Sequence, residues 1–226
     1  MSRKYKVRDQ SKVYFVTFTV VQWVDVFTRR HYKDLILDSM RYCVAEKGLE
    51  LYAYCLMTNH VHMIVGTNKN PIEYIMRDMK RQTSTHLFPM IEQDSEESRR
   101  NWMCWIFKRA GQLNPANNAH QLWQHGFHPT ELFTDSVLQQ KLDYIHNNPV
   151  EAGFVDEPED YLYSSARNYA ARAVNTRARN HGCRSQASQA TTAKQAANHP
   201  NGRRRSRSDK HPNTTVVMKL ATPCRA

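Results

Sequence analysis

In Asn59-His60-Val61-His62-Met63-Ile64-Val65, two histidines flank one valine. On a strand alternate side chains share a face, so His60, His62 and Ile64 point one way and Val61, Met63 and Val65 the other. The apolar set belongs on a core, which leaves two imidazoles ~7 Å apart by strand rise alone. That spacing suits two ligands converging on one ion. It suits two polar residues on an exposed sheet face equally well. Two histidines do not complete a catalytic metal site, so a third ligand must come from elsewhere in the chain. With eleven His and twenty-one acids to draw on, spacing alone does not choose it.

A second group lies on a helical pattern. Leu138, Leu142 and Ile145 recur at i, i+4, i+7 as a core stripe. Tyr144 and Asn148 sit about 80–120° from that stripe as an i,i+4 pair, and Val137 and Lys141 extend the same secondary face. A phenol and an amide are thus stacked at the border of the core. A border tyrosine with its hydroxyl in water, and an asparagine ending the helix before Pro149, would give the same pattern. In Trp123-Gln124-His125-Gly126-Phe127-His128-Pro129, His125 and His128 are candidates for contact with a phosphate or for a purely structural turn. Lys108 and Arg109 close an aromatic-bearing helix, and Arg77, Lys80 and Arg81 cluster on another. Both groups read as phosphate contacts or as solvated helix faces.

The elements that must position these residues alternate in type. Val13–Val21 is rich in β-branched and aromatic residues and reads as a strand. His31–Lys47 carries Leu35, Ile36, Met40, Cys43 and Val44 on one helical stripe and stops at Gly48. Leu51–Val65 reads as strand broken near Met57-Thr58-Asn59. Pro71 opens a helix to about Leu87, and Ser95–Arg109 reads as another. Gly111–Asn118 is loop-like. Thr134 or Asp135 caps the tyrosine helix, which is expected to stop at Pro149, and Ser164-Ser165 cap a short final helix. This alternation predicts a single small α/β sandwich with helices packed on a sheet.

Charge is unevenly placed. The net +11 resides in residues 171–226, where 12 Lys+Arg face the single Asp209, while residues 1–170 balance at 20 and 20. No Phe, Trp or Tyr follows Tyr169, so a basic, disordered tail is expected from 171 to 226, after a domain spanning 1–170. Such a tail attracts phosphates without sequence preference. The five cysteines fall at no zinc or redox spacing and read as reduced thiols. No apolar run is long enough to span a bilayer and the N-terminus lacks a signal-peptide pattern, so a cytoplasmic protein without a membrane partner is expected.

Cys55-Leu56-Met57-Thr58-Asn59-His60-Val61-His62-Met63-Ile64-Val65, followed by Tyr144-Ile145-His146-Asn147-Asn148-Pro149-Val150-Glu151-Ala152-Gly153-Phe154-Val155, resembles the single-tyrosine HUH transposases, and most closely the REP-associated tyrosine transposases. Tyr14–Thr19 and Tyr161–Ser165 also fit the family pattern, so the resemblance covers roughly residues 10–170. It implies an α+β domain: a small antiparallel sheet with helices packed on one face, an RRM- or ferredoxin-like HUH core. It also implies that His60, His62 and Asn148 ligate a divalent ion and that Tyr144 is the nucleophile. Softness alone would allow manganese or zinc on an N,N,O set; the resemblance implies Mg²⁺ or Mn²⁺. The expected reaction is cleavage and rejoining of single-stranded or hairpin DNA through a 5′-phosphotyrosine. A phenol ionises only near pH ~10, which is why an ion that polarises the phosphate is useful. No phosphate-binding Gly-rich loop is present and no nucleotide cofactor is expected. A hairpin-binding protein without turnover, or a replication-initiator or relaxase-type HUH nuclease, would share these motifs. Relatives include monomers and homodimers.

Overall fold

The computed structural model describes residues 7, 9–114 and 119–171, so the expected tail lies outside the described residues apart from Ala171. Four strands, β1 (Tyr14–Thr19), β2 (Leu49–Leu56), β3 (His60–Thr67) and β4 (Thr130–Glu131), form one antiparallel sheet in the order β2-β3-β1-β4. Among the described residues, four longer helices accompany it: α1 (Arg30–Tyr42), α2 (Ile72–Gln93), α3 (Arg100–Gln112) and α4 (Asp135–Glu151). The expected α+β architecture is therefore present.

Alternation decides what each sheet face becomes. Tyr14, Val16 and Phe18 of β1 and Val61, Met63 and Val65 of β3 are buried on one face. α1 contributes Tyr32, Ile36 and Met40 to the same core, and α2 contributes Ile72, Ile75, Met76 and Met79. Each such side chain contributes ~1.5–3 kcal/mol on burial, so this layer holds the sheet rigid. The other face carries Phe15, Thr17, Thr19, His60, His62 and Ile64 in register. α4 lies across this second face, against β2 and β3. Helices thus cover both faces, α1 and α2 on one and α4 on the other, not the single face expected, because α4 buries an apolar stripe of its own against β2 and β3.

Several boundaries differ from the sequence expectation. α2 runs through Pro89 to Gln93 and α4 through Pro149 to Glu151. A proline late in a helix forfeits one backbone hydrogen bond without preventing the following turn. Ala152 N–H still donates to the Asn148 carbonyl at 3.1 Å, and Gly153, at φ 72°, ends α4 where an L-side chain would be strained. α3 begins at Arg100 because residues 94–99 form an ion cluster instead. The Glu97 carboxylate, 3% exposed, accepts from Arg29 and Arg99 and from the Arg99 backbone N–H. Gly111 falls inside α3, where a Cβ would lie 2.7 Å from the His120 Cα, so only glycine admits that backbone approach.

Both caps match expectation. Thr134 Oγ1 accepts from Val137 N at 3.2 Å, and Ser164 Oγ accepts from Ala166 N at 3.0 Å, ahead of helical residues 166–171. Residues 161–165 also line the outer edge of β2: Leu56 N donates to Tyr163 O and Ser165 N to Tyr54 O, both at 2.9 Å. The segment shields an edge strand that would otherwise expose unpaired backbone. Cys43, Cys55 and Cys104 are buried free thiols, while Cys183 and Cys224 lie outside the described residues. No described helix is long and apolar enough to cross a membrane.

Candidate active site

The two histidines converge more closely than strand rise alone requires. Their ring centroids are 4.5 Å apart at an interplanar angle of 67°. His62, 6% exposed, stacks on Phe15 at 5.5 Å and places Nδ1 2.9 Å from Oγ1 of Thr17, its partner across the ladder. On its other side Nε2 faces the Tyr144 hydroxyl at 3.5 Å, across 82 residues of chain. Phenolic O–H donation to Nε2 requires the tautomer in which Nδ1–H donates to Thr17.

His60 is fixed by the turn between β2 and β3. Asp25 Oδ1 accepts from Asn59 Nδ2 at 2.9 Å and from Thr58 Oγ1 at 2.6 Å. A carboxylate only accepts, so the Asn59 amide must turn its oxygen the other way, where it lies 2.7 Å from His60 Nδ1. His60 therefore carries its proton on Nδ1 and its lone pair on Nε2. The Asn148 side chain lies close enough to the His60 ring to favour its protonated form, which brings the fourth residue selected from the sequence to the same place.

Burial sets the charge state of both rings. It pulls His62 down to about 3, helped by repulsion from His60 whenever that ring is protonated and by the positive charge of Lys141. It also lowers His60, against opposing effects of Asn148 and Asp25. Both rings are neutral near pH 7, each with a lone pair available. Among the described residues, no group of three or more His, Cys, Asp and Glu surrounds them. Asn148 is the side chain beside His60 that could add an oxygen donor to the two rings. The donor set of two neutral imidazoles and an amide oxygen is compatible with a borderline divalent ion.

Tyr144 is 40% exposed, with its ring edge-on to Phe15 at 6.1 Å. The Lys141 ammonium stands 5.3 Å from the Tyr144 ring centroid and 4.9 Å from that of Phe15. α4 presents these residues because Ile145 is wholly buried, with Val137, Leu138 and Leu142 packed against the core. The resulting arrangement is an open, partly cationic face with a phenol, two uncharged nitrogen donors and an amide.

The basic candidates expected from the sequence have other partners. Arg77 sits over the Tyr74 ring and pairs with Asp78, as does Arg81. Lys80 is engaged internally: its ammonium donates to the carbonyls of Gln124 and Gly126 at 3.2 and 2.7 Å, and burial lowers it to about 8. It braces the loop that carries His125 and His128. Lys108 pairs with Glu92, Arg109 lies over Trp105, and His128 folds back against Gly126. The partners of these five basic residues are all outside the Tyr144–His62–His60 group. Lys141 supplies a cation at that group, and its place one turn before Tyr144 was the available signal. Thr17, Asp25 and Trp23 had none, because strand register and turn packing bring them in.

Residues 10–109 match the family model described as IS200-like transposase. That segment ends before α4, so Tyr144 and Asn148 lie beyond it. A Haemophilus influenzae protein named for the REP-associated tyrosine transposases is 26% identical over 117 residues, covering 51% of this chain and 58% of the relative. The match therefore spans little more than half of that relative. A solved structure described as a REP-associated tyrosine transposase bound to a REP hairpin superposes with a TM-score of 0.56 at 16% identity. It covers 76% of this chain and 87% of that one, a likeness of fold. Over residues 10–109 the chain is thus similar in sequence to the IS200-like transposases, and its fold is similar to that of the solved hairpin-bound structure.

Proposed function

We propose that this chain is a metal-dependent DNA transposase or endonuclease that cleaves and rejoins single-stranded, hairpin-bearing DNA through a 5′-phosphotyrosine on Tyr144. The observation that carries the reading is the approach of the Tyr144 hydroxyl to His62 Nε2, 3.5 Å apart and beside His60. The hairpin enters from the solved relative, described as bound to one.

Tyr144 Oη would bond to the phosphorus as the P–O3′ bond breaks, its electron pair leaving on the 3′ oxygen. The phenolic proton passes to water at the exposed hydroxyl, and the 3′ oxygen takes one from water. One ester replaces another, so rejoining by a second 3′ hydroxyl needs no nucleotide. His60, His62 and Asn148 would hold Mg²⁺ or Mn²⁺. When bound, such an ion polarises the non-bridging oxygens and favours departure of the 3′ oxygen. Thr17 and Asn59 keep the two imidazoles in the tautomers that present Nε2. Lys141 offers positive charge to the incoming phosphate and to the developing phenolate. Arg77, Arg81, Lys108, Arg109 and His128 remain candidate DNA contacts, whereas Lys80 is a structural brace.

Incubating the chain with end-labelled hairpin DNA and Mn²⁺ should give an adduct that survives denaturant. His60→Ala should lose the adduct and keep hairpin binding. Wild type without adduct, or adduct undiminished in His60→Ala, contradicts the reading.

A further inference from the structure

Beside His60 stands a large aromatic residue that the chemistry above does not use. Trp23 is 61% exposed, and its ring meets that of His60 edge-on at 6.1 Å. Its neighbours Val20, Val21, Val24, Val26 and Phe27 are all buried, so the segment has access to the core and holds the indole out of it. The backbone is unusual as well. Gln22 and Trp23 are two consecutive non-glycine residues in the left-handed region, at φ 54° and 55°. Such a conformation is costly and persists where its surroundings over-determine it.

Those surroundings are visible. Val20 N donates to Asn59 O and Val21 N to Leu122 O, both at 2.8 Å, and Phe27 N donates to Thr58 O at 2.7 Å. Asn59 Nδ2 reaches the Trp23 carbonyl at 3.4 Å. The turn is thus clamped to the same residues that position His60, which fixes the backbone that carries the indole relative to the site. A solvent-facing aromatic plane next to a phosphate-exchange centre matches the flat face of a nucleobase. Aromatic stacking is tolerant of base identity and requires the base to be unpaired.

We propose that Trp23 is a stacking platform for the unpaired nucleobase adjacent to the reacting phosphate. This rests on the reading of the site as a single-strand DNA exchange centre. Stacking of this kind contributes about 5- to 150-fold in affinity per base.

The test uses the full chain, a blunt hairpin, and the same hairpin with single-stranded extensions carrying 2-aminopurine at each position in turn. Wild type should quench 2-aminopurine at one extension position. Trp23→Ala should abolish that quench and weaken the extended hairpin within the stated range, with the blunt hairpin bound as by wild type. Trp23→Phe should keep most of the affinity, while Trp23→Leu, which retains bulk without a flat face, should lose it. Thermal unfolding checks that each variant folds, and the Phe–Leu comparison stands if the alanine variant does not. Equal quenching and affinity in Trp23→Leu and wild type overturn the platform and leave the site reading intact. If wild type binds neither DNA, the site reading fails and the platform falls with it.

Discussion

His60 reaches a carboxylate through one amide, and that indirect route has a measurable consequence. If the Asp25–Asn59 pair orients a metal ligand, Asn59→Ala should weaken Mn²⁺ binding by about tenfold or more, read by calorimetry on the DNA-free protein. Unchanged affinity would mean that His60 is oriented by its packing alone. Lys141→Met should slow adduct formation roughly tenfold, with hairpin affinity changed much less, because its charge stands at the phenol. At this scale the sequence was partly legible. Alternation put His60 and His62 on one face, and helical spacing put Tyr144 beside Asn148. Thr17 and Asp25, 45 and 34 residues from the groups they contact, were invisible because no local period encodes a strand register or the packing of a distant turn.

Elements matter here chiefly through what docks α4. His146 Nε2 lies 2.9 Å from Ser165 Oγ, which also accepts from Tyr54 N of β2 at 3.0 Å. Ser165→Ala leaves both groups without that partner, and should lower stability by about 1–3 kcal/mol. It should also reduce adduct formation by displacing Tyr144, measured by chemical denaturation beside the adduct assay. A second brace lies at the start of α3. Hydrogen bonds from Arg99, with the charges of Arg99 and Arg29, hold Glu97 down to about 2 from its ordinary 4.5. A depressed carboxylate stabilises the fold above the unfolded value, and that contribution is lost as pH falls from about 4.5 toward 2. Thermal unfolding should show a steep loss over this window in wild type and a shallower one in Glu97→Gln. Three of the four strands, the caps and the hairpin break could be read from local pattern; the two-residue β4 could not. The passage of α2 and α4 through Pro89 and Pro149 could not, because one missing N–H weighs little against tertiary burial. The late start of α3 was hidden for a related reason: Glu97 is committed to Arg29, 68 residues away in sequence, as well as to Arg99.

On the scale of the whole molecule, charge and site are separate. The excess of basic residues lies in 171–226, while the candidate site sits in a formally balanced segment. Truncation after Ala171 should therefore leave the adduct reaction in place and reduce the salt dependence of DNA binding, measured as the slope of log affinity against log salt. An unchanged slope would assign the phosphate contacts to the folded part. The central claim is narrower, and one measurement addresses it directly. The denaturant-stable adduct formed with hairpin DNA and Mn²⁺ is digested with nuclease and trypsin, and the peptides are sequenced by mass spectrometry. The account predicts a nucleotide phosphate on Tyr144, absent from Tyr144→Phe. A modification on any other residue, or an adduct that persists in Tyr144→Phe, contradicts it.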